Sequence, residues 1–333
     1  MKPSLLFVLI ITIIIISIFI ISFIQSPTEL NFIESQFSEI SVSKTTTNIP
    51  NYEFDCDNDD LVNLTTERHL FQMCTFPRNL DELGAKKLEF ELKPELDTLY
   101  MELQPKENVV VVFPTFTLSA YSESGFYTFY RGECSDDCLT VNLKNDFSGD
   151  YNTSDSAFKI LNLLNYNFIT DIDIDKNPSI LNSYDTVILL HNEYVTKTEF
   201  DAITSHPKVV YLYPNALYAE VSVDYQKNTL TLIRGHNYPQ ITINNGFDWV
   251  FDNTHPMEFD NSCMPWHFYK IDNGLMLNCY PENAIKTDAF LLKALAEIDN
   301  PIWWNVYEKI SDNNVSIEEK ETYLDFFKLV PKK

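Results

Sequence analysis

The stretch Tyr184–Val223, YDTVILLHNEYVTKTEFDAITSHPKVVYLYPNALYAEVSV, decides how this chain folds. Asp185–Leu190 is a short apolar run rich in β-branched residues and leucine, the composition of a strand buried on both faces. Thr196 with Glu199 three positions on is a capping-box signature, and Phe200 and Ile203 give the helix that follows an inner face. Lys208–Tyr213 is a second buried strand. The loops His191–Val195 and Pro214–Leu217 therefore leave the carboxyl ends of successive strands, the edge at which open α/β sheets bind ligands. This arrangement predicts one crevice that contains His191, Asn192, Glu193, Tyr194, Asn215 and Tyr218.

Working outward, Cys138–Leu143 reads as the first strand of the α/β unit. Ser154 reads as the cap of a helix with Ala157, Ile160, Leu161 and Leu164 on one face, and Phe168–Ile174 as the next strand. The order β-α-β-α-β-α-β predicts a doubly wound, mainly parallel sheet. Val221–Asp224 and Thr229–Ile233 read as a hairpin added to it. Asp288–Ile298 is an expected helix, and Ser316 with Glu319 caps another near the end of the chain. Between Lys87 and Arg131, LEFEL, LYMEL, VVVVF, FTLSAY and FYTFYR alternate and read as a small, mainly antiparallel β region. The expected organisation is an anchor at 1–24, a stalk at 25–50, the antiparallel region at 51–137, the α/β domain at 138–300 and C-terminal helices at 301–333.

Leu5–Ile24 is 20 consecutive residues without a charge. At about 1.5 Å per residue it spans a hydrocarbon layer of roughly 30 Å. No A-x-A pattern follows it, so it reads as a single-pass signal-anchor; a cleaved signal peptide is the other reading, and both export the chain. Lys2 on one side and the acidic stretch before Lys44 on the other predict an amino terminus inside and residues 25–333 outside the cytoplasm. The chain carries 48 acids against 24 bases, a net charge of −24. That balance excludes nucleic acid as a partner and favours cations. With seven glycines and neither GxGxxG nor a Walker motif, phosphate loops are excluded as well. Six cysteines in an exported chain point to disulfides, the simplest pairs being Cys134–Cys138, Cys56–Cys74 and Cys263–Cys279. Asn63, Asn152 and Asn314 lie in N-x-S/T sequons for glycosylation.

The placement of these strands and loops over residues 138–280 resembles the class I glutamine amidotransferase-like fold. Catalytic members carry a cysteine on the tight turn after the strand matching Lys208–Tyr213; here that turn is Pro214-Asn215-Ala216-Leu217, with no Cys, Ser or Thr and no glycine to permit a strained elbow. Within that fold, HNEYVT at 191–196 and NALY at 215–218 resemble the H-x-E-Y and G-N-x-x-Y patterns in the C-terminal region of the N,N-dimethylformamidase large subunit. The resemblance implies a mononuclear iron held by Tyr194, Tyr218 and a glutamate, polarising an amide carbonyl. Val195 and Ala219 stand where that family has Trp, and Pro214 where it has Gly. No glutamate is assigned by motif; Glu258 and Glu282 are available. The wording of RGECSDDCLTV and LNCYPEN, with the central stretch, is also similar to exported proteins of ammonia-oxidising archaea.

Other candidates carry less. Asp55, Asp57 and Asp59 copy the first positions of a calcium loop, but Asp60 replaces its glycine and Thr66 its bidentate Glu. Cys263, Met264 and His267 lack the ligand spacing of a blue-copper loop, and the histidines lack that of a zinc site. Asp171, Asp173 and Asp175 share a strand end and offer oxygens to a divalent cation, although a solvated terminus explains them as simply. Two functions follow as expectations. The first is a membrane-anchored, extracytoplasmic envelope module whose amidotransferase-like domain binds a ligand or a partner, an envelope protein or a glycan, without catalysis. The second is an iron-dependent amide hydrolase. The topology is checked by adding protease to intact cells: residues 25–333 should be digested, and their full protection would overturn it.

Overall fold

In a computed structural model the described residues are Cys56, 62–66, 69–80, 86–144, 147, 149–311 and 315–331. The expected anchor and stalk at 1–50, most of the calcium-like acidic run and the sequon residue Asn314 lie outside them. Among the described residues no helix is long and apolar enough to cross a membrane.

The chain begins with an antiparallel sheet of β1 (Val62–Asn63), β2 (Gln72–Leu80) and β3 (Lys86–Glu91). Helix α1 (Asp97–Leu103) leads to β4 (Val109–Phe113), followed by two short helices, α2 (Thr115–Ala120) and α3 (Phe126–Tyr130). Next come β5 (Thr140–Asn142), α4 (Asp155–Leu163), β6 (Asn167–Thr170), α5 (Asp171–Lys176), β7 (Thr186–Leu189) and β8 (Tyr194–Thr196). Then follow α6 (Lys197–Ser205), β9 (Val209–Tyr211), β10 (Ala219–Asp224), β11 (Thr229–Arg234) and α7 (Thr254–Met257). The chain continues with β12 (Phe268–Ile271), β13 (Gly274–Leu277), α8 (Ala289–Ala296), α9 (Val306–Ser311) and α10 (Ile317–Phe327).

The main sheet has the spatial order β12-β13-β9-β7-β4-β6, parallel throughout except for β12 on its edge. Its strands alternate their side chains between two cores, as the pleat requires. Val109, Val111, Ile188 and Val210 face one core with Leu161 of α4 and Leu291 of α8. Val110, Val112, Leu189 and Val209 face the other with Ile174 of α5 and Ile203 of α6. The sheet is thus doubly wound. A second sheet, β5-β11-β10-β8, lies over a third core with Phe116 and Phe126 of α2 and α3.

Several expectations are corrected. VVVVF does not belong to an antiparallel region: all five residues are buried and β4 is an interior strand of the parallel sheet, as a continuous apolar run requires. Cys138–Leu143 is not the first parallel strand. Of Thr140, Val141 and Asn142 only Val141 is buried, and β5 pairs antiparallel with β11 on an edge of the second sheet. LYMEL, FTLSAY and FYTFYR are helical; Leu99 and Leu103, four apart, are both buried in α1. The hairpin β10–β11 forms, but in the second sheet. The strand expected to run to Ile174 stops at Thr170, where a capping box with Asp173 starts α5, so Asp171, Asp173 and Asp175 sit on a helix. Thr196 caps α6 by accepting from the Glu199 N–H at 3.1 Å, while the Glu199 side chain turns inward instead of closing the box. Ser154 does not cap α4; its Oγ donates to the Thr153 carbonyl.

All three expected disulfides form, with Cα–Cα separations of 5.7 Å for Cys56–Cys74, 6.1 Å for Cys134–Cys138 and 5.1 Å for Cys263–Cys279. They tie β2 to the segment before it, close the short loop between α3 and β5, and tie the turn before β12 to the loop after β13. Gly274 opens β13 directly opposite Val209, and a Cβ there would stand 1.8 Å from the Val209 carbonyl oxygen. The Gly274→Ala variant should therefore lose about 2 kcal/mol or more of stability, read as a lowered thermal midpoint; an unchanged midpoint would show that the β9–β13 register is wrong.

Candidate functional site

In chain order the five parallel strands are β4, β6, β7, β9 and β13, so the sheet reads 2-1-3-4-5 from its β6 edge. The switch point falls between β4 and β7, and ligands of such sheets bind outside the carboxyl ends of the strands there. β4 passes through Pro114 straight into α2, and loop Leu190–Glu193 leaves β7. The Thr117 hydroxyl of α2 accepts the N–H groups of Glu193 and Tyr194 at 3.0 and 3.2 Å, tying the helix after β4 to the loop after β7.

Both loops expected to share the crevice run straight into adjacent strands of the second sheet. β8 begins at Tyr194 and pairs in parallel with β10, which begins at Ala219. Leu217 N–H donates to the Asn192 carbonyl, and Tyr218 and Ala219 N–H both donate to the Glu193 carbonyl, each at 2.9 Å. The turn after β9 takes the strained form without glycine: Asn215 has φ 69° and Leu217 φ 57°. Asparagine tolerates this region better than most residues, whereas leucine does not. Asn215 donates its Nδ2 to Glu258 at 3.0 Å.

Glu193 is the centre. Its side chain has no exposed surface, its Oε2 accepts the Tyr121 hydroxyl at 2.7 Å, and its Oε1 accepts His236 Nε2–H. Burial pushes this carboxyl up. The His236 imidazole and its hydrogen bond, His191 and the Tyr121 hydroxyl outweigh burial and leave it below the usual carboxylate range, so it is ionised. His191 packs against Tyr213 and Tyr280 and donates Nδ1–H to the Asn152 carbonyl, because a carbonyl can only accept. Its Nε2 points toward Glu193. It is buried, lacks a hydrogen-bond partner and lies 3.8 Å from Glu193 Oε2.

Aromatic rings surround the carboxylate. Tyr194 and Tyr130 stack on His236 with centroids 5.5 and 4.9 Å away, and Tyr218 meets it edge-on at 4.6 Å. Tyr127 stacks on Tyr121 at 4.5 Å and donates to its hydroxyl. Burial, helped by the Glu193 charge, lifts the phenols of Tyr121 and Tyr127; burial, then the neighbouring Tyr127 phenol and the Glu193 charge, lifts that of Tyr194. Burial raises Tyr218 to about 12. All four are neutral phenols.

Of the residues expected in the crevice, Glu193, Tyr194 and Tyr218 meet at His236, and His191 faces Glu193 from the other side. Asn192 turns away: its Nδ2 donates to Asp171 at 2.5 Å, and its buried Oδ1 lacks a partner. Asn215 faces Glu258. Sequence reasoning missed Tyr121, Tyr127, Tyr130 and His236. Tyr127 and Tyr130 are three apart, which on a helix places them on one side, but reading FYTFYR as a strand separated them. His236 had no signal beyond the turn-forming residues Gly235, Asn237 and Pro239 around it.

An iron held by two tyrosines and a glutamate needs three oxygens on one point. Here the Tyr194 hydroxyl donates to Tyr130, Glu193 is engaged by Tyr121 and His236, Glu258 accepts from Asn215, and Glu282 accepts from Tyr213 and Ser156. Burial lifts Glu282 to about 7. Among the described residues no three His, Cys, Asp or Glu side chains are grouped to hold a metal ion. This donor set does not fit the iron implied by the resemblance, and no chemical step is derived through one. No family model matches the chain, and no curated protein sequence matches it.

Behind Asn192, the carboxyls of Asp171 and Glu199 are buried neighbours with no exposed surface; Asp171 accepts from the Phe116 N–H and Asn192 Nδ2, whereas both Glu199 oxygens lack a hydrogen-bond partner. Two buried carboxylates in contact cannot both ionise. Burial raises both, and the Asp171 charge further raises Glu199. Because both folded values lie above the unfolded ones, the stability this pair contributes is complete below the ordinary carboxylate range and is lost as pH rises through the raised values. The thermal midpoint should therefore fall between about pH 5 and pH 8, and Glu199→Gln should shrink that fall. An identical pH dependence in the variant would show that the pair does not set it.

Proposed function

We propose that the chain is an exported, membrane-anchored module of the cell envelope, and that its amidotransferase-like α/β domain binds a ligand or partner at the carboxyl edge of the sheet without hydrolysing it. The observation that carries this reading is the turn at Asn215. It has the strained backbone that an elbow gives a nucleophile, yet its residue is an amide committed to Glu258. A rigid edge built in this way is suited to holding a ligand. The three disulfides support export, since such bonds persist in oxidising compartments. The apolar run Leu5–Ile24 supports the anchor.

Metal analysis and amide turnover on the full chain test the reading together. The purified protein should hold no stoichiometric iron and release no amine from N,N-dimethylformamide. Stoichiometric iron that disappears in Tyr194→Phe or Tyr218→Phe would overturn the binding reading in favour of a metal-dependent amide hydrolase.

A further inference from the structure

We propose that the ligand taken at Glu193 is a small organic cation bearing N–H donors, a primary ammonium, guanidinium or imidazolium head, and that His236 is a built-in plug which this ligand displaces. The proposal rests on the reading of the crevice as a binding site and names the chemistry of its occupant.

The plug shows what the crevice accepts. His236 presents an N–H to the buried carboxylate while its ring lies against Tyr130, Tyr194 and Tyr218. A fixed anion walled by aromatic faces is the environment that binds organic cations, through charge and through the ring quadrupoles. Among the described residues, the ion-pair contacts of Glu193 are to His191 and His236 alone, so neither Lys nor Arg neutralises it. The net charge of −24 raises the concentration of cations near the surface.

A second observation points to the same place. His191 Nε2 is buried without a hydrogen-bond partner, its side chain is 3% exposed, and it faces Glu193 Oε2 across 3.8 Å. A cation with an N–H replaces the hydrogen bond that His236 gives the carboxylate. A quaternary ammonium cannot.

The plug is also placed to leave. Gly235, His236 and Asn237 have φ of 126°, 50° and 63°, three successive residues in a region that side chains disfavour. The His236 side chain is 20% exposed and Tyr218 is half-buried, whereas Glu193 has no exposed surface, so solvent reaches the site at the plug. Releasing the turn relieves backbone strain, and the incoming cation replaces its hydrogen bond to Glu193. Because the plug competes, the apparent affinity of the native chain is lowered by the fraction of time it is out.

Isothermal titration of the full chain in detergent with guanidinium, methylammonium, imidazolium and tetramethylammonium chlorides tests this, with urea and methanol as neutral isosteres. Guanidinium and methylammonium should bind saturably, and His236→Ala should bind them about tenfold or more tightly while also taking up imidazolium. Tetramethylammonium and the neutral isosteres should bind weakly. Glu193→Gln should abolish binding; if its far-ultraviolet dichroism shows that it has not folded, Tyr218→Leu, at a half-buried ring, should weaken binding instead. Failure of every cation to bind His236→Ala would overturn the proposal, as would urea and methanol binding as tightly as their charged counterparts. The latter result would leave the crevice a binding site and sink only the cation. Stoichiometric iron, by contrast, would sink the binding reading itself.

Discussion

Removing a carboxylate from water costs several kcal/mol unless donors replace its hydration. Glu193 has no exposed surface and stays ionised, so the structure around it must supply those donors. They come from distant parts of the chain: Tyr121 at the end of α2 and His236 beyond β11. The Glu193 N–H goes to Thr117, and its carbonyl accepts from Tyr218 and Ala219. One residue thus gathers the helix α2 after β4, the loop after β7, the start of β10 and the turn at 235–238. Without that requirement, the second sheet would have little reason to join the first where it does.

The join has a consequence for packing. β8 follows β7 after only four residues and belongs to a different sheet. The crossover helix α6 therefore leaves from the second sheet and returns to the first at β9, and the site forms in the corner between the two. Tyr194, the first residue of β8, is wholly buried there, between Phe126 on one side and His236 on the other. Packing between these two rings fixes the orientation of Tyr194 in the corner.

The two buried acidic sites near the edge differ in kind. Glu193 has imidazole and phenol donors and remains charged. Asp171 accepts from Phe116 and Asn192, Glu199 has no hydrogen-bond partner, and burial raises both carboxyls. Asn192 lies between them, with its backbone in the Glu193 loop and its amide on Asp171. Environment rather than residue type sets the charge of each carboxyl.

Much of this could be read before folding. The runs at 185–190 and 208–213, the caps at Thr196 and Ser316, the hairpin at β10–β11 and the three cysteine pairs were legible, because local periodicity, turn chemistry and spacing act over a few residues. The adjacency of the loops at 191–195 and 214–217 followed from the parallel order. The helical state of 97–103, 115–120 and 126–130 was not legible. Short amphipathic segments rich in Phe and Tyr match a strand as well as a helix, and only burial against β4 and the second sheet decides between them. The assignment of 109–113 failed for the same reason: its neighbours in the sheet, β6 and β7, lie more than fifty residues away. His236 had no local signal at all. Its role exists because a carboxylate 43 residues earlier in the chain is buried and needs a donor, and only the tertiary structure brings the two together.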